Sequence, residues 1–267
     1  MDIDRSTLRP IIEDELERRT WVLVENSYTT SANQGNLTTL HRCNVGTNQN
    51  PQGVLGSLTK SNMIALYEDY FRKKTEPRAI YDSIQNLAED ECPYCAGLSS
   101  DVDTLDHYLP KKVYPRFSIL PVNLVPSCSS CNRIMQAASS DELGEQFLHP
   151  YTDADHFFQN QWLFATYNMG AGDLEYFVDP PDSWNEDDKR RVDYHFRELE
   201  LEQRLRKRAE REVAGGIRLF EKYRERNPSL TIQEAIDDAF SVWIEVEFVN
   251  HWKRVAYLAL AEAVLAC

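Results

Sequence analysis

Two pairs of cysteines constrain this chain more than any other feature of its sequence. Cys92 and Cys95 form the first pair and Cys128 and Cys131 the second, with residues 96–127 between them. A Cys-x2-Cys pair can supply two corners of a tetrahedral metal site, and two such pairs complete a site of four sulfurs. A closed site of this kind leaves no position for water, so the expected Zn²⁺ is structural rather than catalytic.

The remaining cysteines and the apolar pattern indicate a reduced, non-membrane protein. Because thiols stay reduced in the cytosol, the six cysteines do not indicate a disulfide framework. Cys43 is expected to be a packing residue and Cys267 a chain-end residue. No stretch of about 18 apolar residues is present, which predicts that the chain has no membrane span. The N-terminus lacks the layout of a signal peptide. We therefore expect a cytoplasmic protein.

Apolar periodicity predicts an α+β protein that is mostly α-helical. We expect three regions: a helical and irregular N-terminal region at 1–89, a zinc-stapled core at 90–150 and a helical C-terminal region at 151–267. Within the core, short extended runs are expected around His107 and Ile119, followed by a helix that begins near Cys128. This order places candidate metal ligands on the first strand and on the helix.

The C-terminal region contains a long helical pattern at 186–226 that is rich in arginine, glutamate and leucine. Gly215 and Gly216 are expected to kink or interrupt it, because glycine weakens a helix interior. The basic cluster at 204–211 is interpreted as a solvated helix face, with contact to phosphates as the alternative.

The charge of the chain argues against bulk electrostatic coating of nucleic acid. The chain has 29 lysines and arginines against 43 aspartates and glutamates, a net charge of −14, whereas phosphate binding needs clustered cations. Between 104 and 136, however, a single acid, Asp106, stands among Lys111, Lys112, Arg116 and Arg133. A local basic patch on an acidic protein fits a site that contacts a few phosphates.

His107 is the candidate general base, and Asp106 precedes it directly. An imidazole can accept a proton from water near neutral pH. Neighbouring residues on a strand point to opposite faces. We therefore expect a local twist or bulge that lets the carboxylate reach a cation while the imidazole faces the attacking water.

Two asparagines complete the candidate site. Asn132 follows Cys131 directly, so a zinc site would fix its position. Its amide oxygen and the Asp106 carboxylate are hard ligands suited to Mg²⁺ or Mn²⁺, which we expect as the catalytic ion. Asn123 is expected either to orient the neighbouring loop and the His107 backbone by hydrogen bonds or to be a turn-forming asparagine.

The motifs CPYC, LDHYLPK and NLVPSCSSCN occur in this order at 92–132. Together they resemble the zinc-containing HNH endonucleases, also called ββα-metal nucleases, over about residues 92–136. The resemblance implies that His107 is the base, that Asp106 and Asn132 hold the divalent ion, and that Asn123 is the middle residue of the motif.

The chain departs from that family pattern at two positions. Asn132 stands where the family often has histidine, and Met135 stands where the family frequently has lysine. The second change would weaken a phosphate contact, for which Arg133 is a candidate replacement.

These residues predict an endonuclease that hydrolyses phosphodiester bonds, with DNA as the expected substrate. Lys111, Lys112 or Arg133 would hold flanking phosphates. One alternative is a zinc-stapled module that binds nucleic acid or protein without catalysis. Another is an iron electron carrier with four thiolate ligands, which would leave Asp106 and His107 without a role.

The general plan of a small HNH core with large helical additions resembles the nuclease partner of an ATPase in Septu-type bacterial anti-phage systems. This resemblance implies a defence effector; a restriction-type or mobile-element nuclease is the alternative. Because the chain is acidic, we expect it to bind DNA weakly alone and to gain affinity from a protein partner, such as an ATPase, or from self-assembly.

Overall fold

The computed structural model describes residues 59–88, 90–99, 101–136, 140 and 142–266, so most of the predicted N-terminal region lies outside the described residues. The described part is α+β and mainly helical, with two separate two-stranded antiparallel sheets. The described residues divide into two compact units, one at 59–94 and 99–153 and the other at 95–98 and 154–266. Across the described helices, none is long and apolar enough to cross a membrane.

Two helices open the described part of the first unit. Helix α1 (Lys60–Ala65) continues into a π-helical turn (Leu66–Phe71), and α2 spans Thr75–Gln85. The Thr59 side chain accepts a hydrogen bond from the backbone of Asn62, which forms a capping box at the start of α1. Met63, Tyr67 and Phe71 recur every four residues and are buried, so one face of this segment packs into the core.

A two-stranded sheet and a short helix follow in the order that the sequence predicted. Strand β1 (Thr104–His107) pairs antiparallel with β2 (Leu124–Ser127), and helix α3 spans Ser129–Met135. The pairing runs residue against residue from Thr104 opposite Ser127 to His107 opposite Leu124. The bulge expected in β1 is therefore absent from these paired residues.

The extended run predicted around Ile119 was wrong in position. Ile119 lies in the loop between the strands, and β2 begins five residues later. Pro115 and Pro121 each begin a short 3₁₀ turn, because proline fixes the backbone angle that such turns need. Most apolar residues of this loop, Ile119 among them, are buried without forming a strand.

The second unit combines a β-hairpin with helices. Its elements are α4 (His156–Gln159), β3 (Leu163–Asn168), β4 (Asp173–Val178), α5 (Glu186–Glu198), α6 (Leu201–Arg226), α7 (Ile232–Val246) and α8 (Trp252–Leu265). Strand β3 packs against α8, and β4 packs against α6. The turn at 95–98 joins this unit because the backbone N–H of Trp252 donates to the Ala96 carbonyl at 3.0 Å. The Trp252 indole also donates to the Gly97 carbonyl at 3.2 Å.

The helix break expected at Gly215 and Gly216 was wrong. Helix α6 runs without interruption through both glycines. The break falls instead at Glu200, which has a left-handed φ of 53° and separates α5 from α6. A left-handed residue cannot continue a right-handed helix, so the long helical pattern forms two helices.

The two adjacent glycines of α6 lie in opposite surroundings. A Cβ added to Gly216 would lie 2.9 Å from Cε1 of Tyr257, whereas a Cβ on Gly215 would meet nothing within 4 Å. Gly216 is therefore required by close packing against a buried ring, and Gly215 is not.

This difference predicts opposite effects on stability. Gly215→Ala is expected to raise the free energy of unfolding by about 0.5–1 kcal/mol, because alanine favours the helix. Gly216→Ala is expected to lower it by about 1–3 kcal/mol through overpacking against Tyr257. Thermal unfolding of the two variants beside the unchanged protein checks this, and shifts of the same sign in both variants would contradict it.

Candidate functional site

The four predicted metal ligands lie together. The Sγ atoms of Cys92, Cys95, Cys128 and Cys131 are all within 4.8 Å of one another, and all four residues are buried. A zinc ion with Zn–S bonds of about 2.3 Å needs tetrahedral sulfurs about 3.8 Å apart, which this cluster can satisfy. The four cysteines form no disulfides. They can bind a metal ion, and the all-sulfur set is compatible with structural zinc.

The backbone around the cysteines supports thiolate ligands. The Cys128 N–H donates to Sγ of Cys92 at 3.3 Å, and the Cys131 N–H donates to Sγ of Cys128 at 3.5 Å. Because Cys128 is also the N-cap of α3, its sulfur accepts a bond from the first turn of that helix. Helix α3 is thus anchored at its start by the cysteine cluster.

A cleft of about 570 Å³ in the first unit collects most of the other predicted residues. Asp106 and His107 line it from β1, Asn132 lines it from α3, and Lys111 and Lys112 line it from the following loop. Asp106 and His107 are neighbours on a regularly paired strand, and both line the cleft without the expected bulge. The predicted residues therefore bring a carboxylate, an imidazole, a carboxamide and two amines to this cleft, which two further carboxylates, a guanidinium and a second carboxamide also line.

His107 is buried and held by one backbone bond. Its Nε2 lies 2.9 Å from the Ser118 carbonyl oxygen. A carbonyl can only accept, so Nε2 carries the proton and Nδ1 is the ring nitrogen with a free lone pair. Burial, reinforced by the positive charge of Lys111, lowers the pKa of His107 to about 3. The imidazole is thus neutral at physiological pH, and the same lowering of its pKa makes it a weaker base than a free histidine.

Asp106 is buried beside Tyr94, which lies between the two cysteines of the first pair. The Tyr94 hydroxyl donates to Oδ2 of Asp106 at 3.4 Å. Burial raises the pKa of Asp106 to about 7, against the opposing effect of the Tyr94 bond. A divalent cation next to this carboxyl group would favour its charged form.

Asn123 does not line the cleft; it is fully buried and bonds to the loop between β1 and β2. Its Oδ1 accepts from the Leu109 N–H at 2.8 Å, and its Nδ2 donates to the carbonyls of Leu109 and Phe117 at 3.1 Å. Its own carbonyl accepts from the Tyr108 N–H at 3.0 Å. These bonds fix the loop that leaves His107.

The three predicted phosphate-binding residues differ in their surroundings. Lys111 Nζ lies 2.6 Å from Oε1 of Glu68 and 4.6 Å from the centre of the Tyr67 ring, so it is already paired with an acid. Lys112 is an exposed residue of the cleft. Arg133 is exposed on α3 and does not line the cleft.

Comparison with known proteins identifies a relative. The chain is 34% identical over 223 residues to protein ea31 of Escherichia phage lambda, covering 79% of this chain and 75% of that protein. The chain belongs to the ea31 family. No protein-family model matches the chain, and no solved structure matches it. The name ea31 states no activity, so the function of this ea31-family chain has to be argued from the cleft.

The cleft of this ea31-family protein contains residues that the sequence did not indicate. The Tyr67 ring packs edge-on against the His107 ring with centroids 4.4 Å apart, and Glu68 pairs with Lys111. Both residues come from the π-helical turn after α1, about 40 positions before β1. One local signal was available for Tyr94, which lies between Cys92 and Cys95 and is therefore held close to the cysteine cluster.

Proposed function

We propose that this ea31-family protein is a metal-dependent endonuclease of the HNH, or ββα-metal, type that hydrolyses phosphodiester bonds in DNA. The observation that carries the proposal is the lining of one cleft by Asp106, His107 and Asn132. These residues come from a β-hairpin and the helix that directly follows it. Of the four clustered cysteines, two precede the hairpin, Cys128 caps the helix and Cys131 lies within it, an order that is similar to the zinc-containing HNH pattern.

In the proposed reaction, His107 acts as general base. Its Nδ1 would take a proton from a water molecule while the water oxygen attacks phosphorus. A bridging phosphorus–oxygen bond then breaks, and the leaving oxygen takes a proton from solvent water. The Ser118 carbonyl holds the opposite ring nitrogen and so fixes the tautomer that exposes a basic nitrogen. The edge-on Tyr67 ring limits rotation of the imidazole.

Asp106 and Asn132 would hold the divalent ion. A carboxylate oxygen and an amide oxygen form a hard, sparse ligand set that suits Mg²⁺ or Mn²⁺, which take their other ligands from water and phosphate. When bound, the ion neutralises charge that develops on the phosphate and the leaving oxygen. Tyr94 keeps the Asp106 carboxylate in place through its hydroxyl.

Cleavage of supercoiled plasmid tests the proposal. The purified protein is expected to nick or linearise the plasmid when Mg²⁺ or Mn²⁺ is present and to leave it intact when no divalent ion is added. Gel electrophoresis over a time course measures the rate. No cleavage with either ion, on supercoiled or single-stranded DNA, would reject the proposed function.

The departure at Met135 favours one alternative, a binding module without catalysis. Met135 is 3% exposed and belongs to the core of the unit, so it cannot replace the family's lysine at a phosphate. Lys111, a second candidate, is paired with Glu68. Such a module would bind nucleic acid or protein and cleave nothing under any metal.

We also propose that a protein partner, an ATPase by the Septu analogy, or self-assembly raises the weak affinity of the chain for DNA. Val242 and Val246 in the last turns of α7 are 57% and 77% exposed, and Phe248 just after the helix is 47% exposed. Exposed apolar side chains of this size are typical of protein contacts. In this proposal the chain is a defence effector. Co-purification from the native host, followed by cleavage assays with and without the recovered protein, tests it; fast cleavage by the chain alone at physiological salt would oppose it.

A further inference from the structure

Helix α6 carries four exposed cations in one row. Lys207, Arg211, Arg218 and Lys222 are all exposed, and their spacing of four, seven and four residues places them on the same side of an α-helix. The opposite side of the helix is buried by the apolar and small residues Leu201, Leu205, Ala209, Val213 and Gly216. We call the four cations the basic row. At a rise of 1.5 Å per residue, the basic row extends for about 22 Å.

The composition of α6 sets it apart from the rest of the chain. Residues 201–226 contain nine lysines and arginines against five glutamates, in a protein with a net charge of −14. Arg206 pairs with Glu202 away from the row. Among the described residues, Lys207, Arg211 and Lys222 form no salt bridge within 4.0 Å, and the Arg218 side chain donates from Nε to the Ala214 carbonyl at 3.1 Å. By helical spacing, Glu210 and Glu221 lie along one flank of the row, whereas Glu225 lies on the side of the row itself, three residues after Lys222.

The middle of the basic row is occupied by small residues. Ala214 and Gly215 are exposed between Arg211 and Arg218, and a Cβ on Gly215 would meet nothing within 4 Å. Packing therefore explains Gly216 but leaves Gly215 without an internal reason, although glycine costs a helix about 1 kcal/mol relative to alanine. A low surface between two pairs of cations allows an extended polyanion to lie close to the helix.

We propose that the basic row of α6 is a phosphate-binding surface for the backbone of duplex nucleic acid. Its length of about 22 Å equals the axial rise of about six nucleotides of one strand. Two pairs of cations on one line of the helix fit contacts to phosphates, which position a duplex and do not read its sequence. The choice of nucleic acid as the bound polyanion rests on the proposed nuclease function; the basic row itself does not. The proposal assigns part of the binding of nucleic acid to α6 in the second unit, in addition to the contacts proposed for the cleft.

Binding to a 30-base-pair DNA duplex in a His107→Gln background tests this without cleavage and without added divalent ion. The variant Lys207→Gln/Arg211→Gln/Arg218→Gln/Lys222→Gln removes the row. A matched control, Lys73→Gln/Arg190→Gln/Arg197→Gln/Arg206→Gln, removes four cations that are each paired with a carboxylate. Thermal unfolding confirms that both variants are folded.

The row variant is expected to bind about 100-fold more weakly at low salt, and its slope of log affinity against log salt should be about 3 to 4 shallower. The control should change affinity by less than about threefold. Ala214→Glu, which places one negative charge within the row, should weaken binding by about tenfold.

Three results would overturn the proposal. Equal affinities of the row variant and the control would show that the row makes no phosphate contacts. If the protein with an intact basic row binds no duplex at low salt, the row is not a phosphate-binding surface. This conclusion holds whether or not the protein proves to be a nuclease. A change of oligomeric state in the row variant, with DNA binding intact, would assign the row to protein contact.

Discussion

Replacing His107 by alanine is expected to lower the rate of plasmid cleavage by about 10²–10⁴-fold, the usual contribution of a general base. The variant should keep its zinc, because the cysteine cluster contains no atom of His107. It also loses the bond between Nε2 and the Ser118 carbonyl, which should cost about 1–3 kcal/mol of stability. Cleavage rate, zinc content and thermal unfolding are measured on the same preparation.

Two further variants separate the chemical role of His107 from its structural role. His107→Gln keeps an N–H donor that can serve the Ser118 carbonyl but offers no basic nitrogen, so it should fold and remain inactive. His149 provides a matched control, because it is buried in the same unit and its Nε2 lies 2.9 Å from the Val122 carbonyl. His149→Ala should lose comparable stability and retain most of the cleavage rate. An unchanged rate in both His107 variants would remove His107 from the mechanism.

The parts of the site that could be predicted from the sequence are those that depend on short spacing. Two residues between cysteines bring their sulfurs close together within a single turn, and Asn132 is fixed by its neighbour Cys131. The order of strand, loop, strand and helix followed from the same segment. These features need no knowledge of distant parts of the chain.

The parts that could not be predicted depend on distant contacts or on competing local signals. Glu68 has Arg72 four residues later as a helical ion-pair partner, so nothing in the sequence indicates that it also binds Lys111. The strand around Ile119 was misplaced because an apolar run predicts a strand, whereas the prolines on both sides stabilise 3₁₀ turns. The glycines of α6 suggested a break, but the Tyr257 ring packs on Gly216 and supports a continuous helix.

Replacing Cys128 by serine is expected to abolish stoichiometric zinc binding and to unfold the segment at 92–135. Structural zinc contributes on the order of 10 kcal/mol in small zinc modules, which is as large as the total stability of many domains. Serine is itself a good N-cap, so Cys128→Ser keeps the cap of α3 and removes the thiolate. The variant therefore isolates metal binding from helix capping.

Loss of zinc should also lower the rate of the proposed cleavage, because Tyr94 lies between Cys92 and Cys95 and donates to Asp106. Zinc content by elemental analysis, limited proteolysis and plasmid cleavage should decline together in Cys128→Ser. Cys43→Ser, which changes a cysteine that the sequence leaves outside the metal site, should behave like the unchanged protein. A Cys128→Ser protein with full zinc content and an unchanged unfolding temperature would contradict the structural role. Zinc loss with unchanged cleavage would separate the cysteine cluster from Asp106 and leave Tyr94 without a positioning function.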